Sequence, residues 1–243
     1  MNVDEIRKKL KGGQVSIGSW ITLGNTGIAE ILSLAGFDWI VVDLEHSVIS
    51  IDKAGELIRT IDGCDVVPLV RLTSNDENQI KRIMDAGAKG IIVPNVSSAE
   101  SAERAVAATR YPPSGRRGVG LGRAQKYGHG FKEYFDWQVD GPIVFVQIES
   151  INAVSELDKI FQVDGLDGYI IGPYDLSCSM GIPGKFDDPK FQEIMKQIHD
   201  ASVKNNLPSG THLVEPGLLG LEEAIVKGFK IIAYSVDIRI LDV

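Results

Sequence analysis

The chain has 243 residues, with 33 acidic against 25 basic side chains for a net charge of −8, and 44% of its residues are hydrophobic. These are ordinary globular values and exclude a disordered or fibrous chain. The acidic balance argues against nucleic-acid binding, whose affinity rests on Lys and Arg neutralising phosphates. No apolar run approaches the roughly 20 residues that a membrane-spanning helix needs. Residues 1–13 read as a short charged amphipathic helix without the apolar core or cleavage site of a signal peptide. Cys64 and Cys178 are too few for a disulfide framework. A cytoplasmic protein that binds neither nucleic acid nor membrane is expected.

Short apolar, β-branched runs alternate with helix-period segments along the chain. The runs fall at residues 15–21, 39–44, 66–72, 90–96, 143–148, 168–171, 207–213 and 230–236. They are too continuous for half-exposed antiparallel strands and predict strands buried on both faces, as in parallel sheets. Segments 50–61, 75–86, 97–109 and 189–204 repeat apolar residues every three or four positions, the helical period. Ser50 and Ser97 read as N-caps, and Gly63 and Gly87 as helix stops.

Eight strands with crossover helices in this length predict an α/β fold, one closed (β/α)8 barrel over residues 1–243. A doubly wound open sheet is the alternative, but Gly18-Ser19-Trp20 followed by Gly24-Asn25 is not its G-x-G-x-x-G turn. A long interruption at 111–141 carries Pro112-Pro113, several glycines and three arginines, and reads as a lid or partner-contact element. After the eighth run only residues 237–243 remain, too short for an eighth helix. The N-terminal helix or a neighbouring subunit is expected to cover that part of the base.

Barrel enzymes place their chemistry at the C-terminal ends of strands. Those ends supply Asp43-Leu44-Glu45-His46, Arg71, Asn95, Gln147-Ile148-Glu149, Asp175, His212 and Asp237, whereas the strand starts offer Lys89 and Lys230. Charges are costly to bury without partners, so the one-sided set predicts a polar centre at the top of the barrel. For any one of these residues, capping the next helix is the plainer role. Glu149 and Asp175 end adjacent strands, and two close carboxylates need either a shared proton or a cation. All-oxygen ligation suits a hard ion such as Mg²⁺ or Mn²⁺.

The strand-to-helix turn at Gly172-Pro173-Tyr174-Asp175-Leu176-Ser177 offers backbone amides to an anion such as the carboxylate of an α-keto acid. Arg71 either stabilises charge on an enolate oxygen or forms a structural salt bridge to Asp43 or Glu45. His46 is the natural proton carrier. No strand end supplies the lysine of a Schiff-base aldolase. The seventh and eighth turns also lack a glycine-rich phosphate cradle. Metal-assisted deprotonation next to a carbonyl remains.

At these residues the sequence resembles the HpcH/HpaI aldolase family, the class II pyruvate aldolases that include 4-hydroxy-2-oxoheptanedioate and 2-dehydro-3-deoxyglucarate aldolases. The carriers are Phe37 through His46, Val70-Arg71, Met84-Asp85-Ala86-Gly87-Ala88 with Val93-Pro94, Tyr111-Pro112-Pro113 through Gly120, Gln147-Ile148-Glu149 and Ile171 through Ser177. The resemblance implies a TIM barrel of the phosphoenolpyruvate/pyruvate type. It implies cleavage of a 4-hydroxy-2-oxo acid into pyruvate and an aldehyde, a divalent cation (Mg²⁺, Mn²⁺ or Co²⁺), and a homo-oligomer. It makes Glu149 and Asp175 the metal ligands, Arg71 the partner of the keto oxygen, and His46 the acid/base with Asp85 paired to it; Asp43 is counted with the catalytic residues. Gln147 and the backbone around Tyr174 and Asp175 become pyruvate contacts, and Trp20 a pocket wall. Asn95 and His212 depart from the family pattern. A citrate lyase β-like enzyme acting on a CoA thioester, with Arg116, Arg117 and Arg123 as its basic cluster, is one alternative. A non-catalytic barrel that binds a small acid is another.

Overall fold

The apolar runs become eight strands: β1 (Ser16–Ile21), β2 (Trp39–Asp43), β3 (Val67–Arg71), β4 (Gly90–Val93), β5 (Ile143–Ile148), β6 (Gly168–Ile171), β7 (Ser209–Leu213) and β8 (Ile231–Val236). In the computed structural model, which describes residues 1–242, every strand pairs in parallel with its sequence neighbours, and β8 pairs back to β1. The result is a closed (β/α)8 barrel. Its fourth strand is shorter than the run at 90–96, because Pro94 has no N–H for the ladder and Asn95 turns into the left-handed region at φ 51°.

Helices fill the connections: α1 (Val3–Lys11), α2 (Thr26–Ser33), α3 (Ile51–Gly63), α4 (Glu77–Ala86), α5 (Ala99–Thr109), α6 (Phe131–Trp137), α7 (Ile151–Val154), α8 (Leu157–Phe161), α9 (Pro173–Ser179), α10 (Pro189–Lys204), α11 (Leu218–Val226) and α12 (Asp237–Leu241). Ser50 caps α3 as expected, but the cap of α5 is Ser98 rather than Ser97. The Ser98 hydroxyl is the one placed to accept from the Ser101 amide. Gly87 ends α4 at φ 106°, while Gly63 is the last residue of α3 and Cys64 its cap. The helix after the eighth strand is only the five residues of α12. Among the described residues no helix is long and apolar enough to cross a membrane.

Two apolar layers follow from the strand period of two. Outward residues such as Ile40, Val42, Val70, Ile91, Val144 and Val146 pack under the helices. Inward residues, among them Trp39, Val41, Leu69, Ile92, Phe145, Ile170 and Ile231, fill the barrel together with Val3, Ile6 and Leu10 of α1. The N-terminal helix therefore closes the base. It starts with a reciprocal cap between Asn2 and Glu5. Arg7 then binds Asp167 at 2.6 and 3.0 Å, and Lys9 reaches Asp38 at 2.6 Å.

The long interruption is not bare loop. It contains a 3-10 segment at Arg123–Gly128 and α6, and Arg117 lies buried between Tyr111 and Tyr134, 4.3 and 5.4 Å from the ring centres. Its Gly122 lies so close to the Asp85 carbonyl that a Cβ there would approach it to 2.6 Å. Arg123 binds Asp62 at 2.6 Å, near the end of α3. The segment thus lies against the strand-start end of the barrel, away from the mouth of its own chain.

Candidate active site

The inward positions change from apolar to polar as the strands reach the C-terminal rim. Trp39 and Val41 lead to Asp43, Val67 and Leu69 to Arg71, and Ile143 and Phe145 to Gln147. Two residues further, the same face carries Glu45 and Glu149. His212 stands two residues beyond Gly210 on β7. Barrel closure leaves at this rim a cavity of about 130 Å³ lined by Trp20, His46, Arg71, Gln147, Tyr174, Asp175 and His212, with Gly172, Pro173 and Val214. A larger hollow of about 620 Å³ lies at the base between α1 and α10, remote from the carboxylates.

Arg71 organises one side. Its Nε and Nη2 donate to the two oxygens of Asp43 at 2.8 and 2.6 Å, and its Nη1 lies 3.3 Å from Glu45 Oε2. Asp43 is fully buried and also accepts from the amides of Glu45 and His46. The salt bridge considered as an alternative role for Arg71 is thus present, and Arg71 still lines the cavity. Its guanidinium stands 4.4 Å from the centre of the Trp20 ring, whose other neighbour is His212, stacked at 5.1 Å and 20°. Arg71, Trp20 and His212 form a column from β3 through β1 to β7.

The carboxylates gather on the other side. Glu149 Oε1 accepts from the Asn95 amide at 2.6 Å and Oε2 from Gln147 Nε2 at 2.8 Å. Asn suits the left-handed turn that aims this amide. A Cβ on Gly172 would fall 2.7 Å from Glu149 Oε2, so the start of α9 reaches Glu149 only because position 172 lacks a side chain. Burial, reinforced by the charges of Glu45 and Asp175, pushes the Glu149 carboxyl up to about 7. Burial raises Glu45 as well, against the opposing pull of Arg71.

His46 is exposed at the rim, and its Nε2 lies 3.9 Å from Glu45 Oε2. Tyr174 is also exposed and meets Phe186 edge-on at 5.0 Å. Asp85 is not brought to this rim within one chain. It lies in the last turn of α4, which leads into the start of β4, and burial raises its carboxyl while Arg117 lowers it. Asp237 serves neither the cavity nor a helix cap: its buried carboxylate accepts from the Thr22 amide and hydroxyl and the Leu23 amide, fixing the turn after β1. Of the three arginines in the long segment, Arg116 pairs with Glu77, Arg117 is enclosed by tyrosines and Arg123 pairs with Asp62. Glu45, expected as part of the polar rim and as a partner for Arg71 but given no catalytic or metal role, lies beside Arg71 as well as Asp43 does.

A divalent cation fits this donor set. Among the described residues Asp43, Glu45, Glu149 and Asp175 stand against Arg71, and Gln147 Oε1 is a buried oxygen with no donor. Among the described residues no three His, Cys, Asp or Glu side chains converge on one ion position.

A closed parallel barrel with its charged residues at the C-terminal rim belongs to the class of (β/α)8 enzymes. The family model described as HpcH/HpaI aldolase/citrate lyase matches residues 16–241, and the chain belongs to that family. It is 39% identical over 239 residues to a 4-hydroxy-2-oxo-heptane-1,7-dioate aldolase of Salmonella typhimurium, covering 96% of this chain and 88% of that protein. Among solved structures it is similar to an HpcH/HpaI aldolase/citrate lyase family protein of Burkholderia cenocepacia, with TM-score 0.91, 28% identity and coverage of 98% and 94%. It is also similar to the citrate synthase SbnG, with TM-score 0.84, 25% identity and coverage of 97% and 92%.

Proposed function

We propose that the protein is a divalent-metal-dependent class II aldolase of the cytoplasm, an aldehyde-lyase that reversibly cleaves a 4-hydroxy-2-oxo acid into pyruvate and an aldehyde. The observation that carries this reading is the excess of carboxylate at the rim. Glu149 is buried beside Glu45 and Asp175, and the nearby arginine already has both oxygens of Asp43.

Glu149 and Asp175 would hold the cation, and Gln147 fixes the Glu149 carboxylate. When bound, the ion supplies a Lewis acid for the oxo group of the substrate. Arg71, held by Asp43, presents fixed positive charge where the keto oxygen gains charge as the pyruvate enolate forms. Amides at the first turn of a helix have no acceptor within the helix, so those around Tyr174 and Asp175 receive the pyruvate carboxylate. His46 takes the proton of the 4-hydroxyl in cleavage and returns it in synthesis. Trp20, fully buried, walls the cavity and limits water around the carbanion equivalent.

Pairing of Asp85 with His46 requires a second copy of the chain, because within one chain they occupy opposite ends of the barrel; this supports a homo-oligomer. The acyl-CoA alternative is less well supported, since Arg116, Arg117 and Arg123 are occupied within the chain.

The test is a screen of 4-hydroxy-2-oxo acids coupled to pyruvate detection, with Mg²⁺, Mn²⁺ or Co²⁺ and after chelation. Cation-dependent pyruvate release is expected. Unchanged turnover after exhaustive chelation, or no release from any acid, overturns the reading.

A further inference from the structure

The cavity has two unlike walls. Gln147 and Asp175 on the β5 and β6 side, with Arg71 on β3, account for pyruvate under the reading above, and Gln147 bonds to Glu149. Trp20, His212 and Val214 on the β7 and β1 side face the remaining space. That wall is where the second substrate must stand when it meets the enolate, and its one polar side chain with an unassigned function is His212.

The chemistry of the His212 ring is fixed by its surroundings. Its Nε2 stands 3.1 Å from the carbonyl oxygen of Ser235. A carbonyl can only accept, so Nε2 carries the hydrogen and donates it. Ser235 is itself held in place: it is fully buried at φ 57°, and its hydroxyl donates to the Val214 carbonyl at 2.9 Å. Stacking on Trp20 sets the plane of the ring. Burial lowers the imidazole to about 4, so the ring is neutral at neutral pH. The other nitrogen, Nδ1, then bears a bare lone pair, with no donor to it among the described residues and without being sealed from solvent.

We infer that His212 selects the electrophile: its Nδ1 accepts a hydrogen bond from a hydroxyl group on the incoming aldehyde, so that the second substrate is a short hydroxyaldehyde. A purely apolar aldehyde leaves that lone pair without a donor in a partly dry cavity, a recurrent source of discrimination. An aldehyde that placed a carboxylate there would set its charge against the lone pair and the nearby acids. The inference rests on the aldolase reading and adds the class of its second substrate.

The experiment compares kcat/KM for addition of pyruvate to matched aldehydes, glycolaldehyde against acetaldehyde and lactaldehyde against propionaldehyde, in the presence of Mg²⁺. His212→Phe keeps a ring on Trp20 and removes both nitrogens, while His212→Gln can restore an acceptor. The ratio of hydroxylated to deoxy aldehyde is expected to fall about five- to tenfold in the Phe variant, the size of one neutral hydrogen bond, and to recover in the Gln variant. An unchanged ratio in His212→Phe overturns the inference. A second readout uses the wild-type protein, so that it stands even if the variants do not fold. Glycolaldehyde added to the pyruvate-loaded enzyme should move the ¹⁵N resonance of His212 Nδ1, and acetaldehyde should not; no difference between them also overturns it. Deuterium exchange into the methyl group of pyruvate separates the two levels. Exchange with an unchanged aldehyde ratio removes the role of His212 alone, whereas no exchange with any cation removes the aldolase reading and this inference with it.

Discussion

Arg71 and Asp43 face each other across adjacent strands at paired register, and two N–H groups of the guanidinium meet the two carboxylate oxygens at 2.8 and 2.6 Å. This pair is the hinge between barrel and chemistry. Asp43 is 1% exposed and would be left as an unmatched buried charge if Arg71 were removed. Arg71→Met is therefore expected to cost about 3 kcal/mol in unfolding free energy, the usual cost of breaking a buried pair, and to suppress pyruvate exchange. Arg71→Lys should recover part of the stability and little of the exchange, since an ammonium cannot make the bidentate contact. Denaturant midpoints and methyl deuterium exchange check the two halves separately.

Position 172 tolerates no side chain. Gly172→Ala places a methyl 2.7 Å from Glu149 Oε2 and 2.9 Å from its Cβ, so Glu149 must move. The variant should keep its far-ultraviolet spectrum and bind Mn²⁺ at least about tenfold more weakly, a loss of about 1.4 kcal/mol. Titration calorimetry measures it, and unaltered affinity would show that Glu149 does not need this approach.

The raised carboxyl of Glu149 gives the cation-free protein a pH signature. Its ordinary value is 4.5 and burial carries it to about 7 in the fold. Between those values the folded state holds a proton that the unfolded state has released, so this contribution to stability is full below pH 4.5 and is lost as pH rises through 7. Glu149→Gln should flatten that slope in thermal melts and abolish turnover while the barrel persists. A cation competes with the same proton, so its apparent affinity should weaken as pH falls below 7.

The His46 ring is exposed at the rim, and its neighbour at 3.9 Å is the Glu45 oxygen that also meets Arg71. His46→Ala should leave Mn²⁺ affinity within twofold of wild type and lower aldol cleavage by about 10²–10⁴, the usual range for a lost general acid or base. Parallel losses of metal binding and cleavage would assign His46 to the cation instead.

At the other end of the barrel, Ile6 is fully buried among Trp39, Phe145 and Ile231 in the interior cluster. Ile6→Ala should destabilise the protein by about 2–5 kcal/mol through the void it leaves while the kinetics of the folded enzyme stay unchanged. Urea unfolding together with kcat/KM measures both.

Much of this was legible in the sequence because barrel strands obey a period of two. The runs at 143–148 and 168–171 became strands without change of limits, and stepping by two from Trp39 or Ile143 arrives at Asp43 or Gln147. The rim was harder to read, since a terminal acid serves chemistry or a local cap according to neighbours far along the chain. Asp237 turned to Thr22 and Leu23, and Arg71 took both Asp43 and Glu45, which the sequence offered as alternative partners. The secondary structure in 111–141 was hidden because Tyr111, Arg117 and Tyr134 become one stack only after a turn of the chain; its glycines and prolines describe the bends and not the partners. Asp85 shows the limit of reasoning within one chain: its motif was plain, but its place is at the far end from His46.

Arg7 reaches Asp167 across 160 residues, and Leu10 and Ile6 share a cluster with Ile231. The docking surface of α1 is therefore complete only after β8 has been made. Trp20, Trp39 and Asp38 offer part of that surface early, but sealing of the floor waits for β6 and β8 and is slowed by the long search that distant contacts impose. A nascent chain arrested before β8 should be open at that end and hold α1 only loosely, available to chaperones and proteases that the finished barrel excludes.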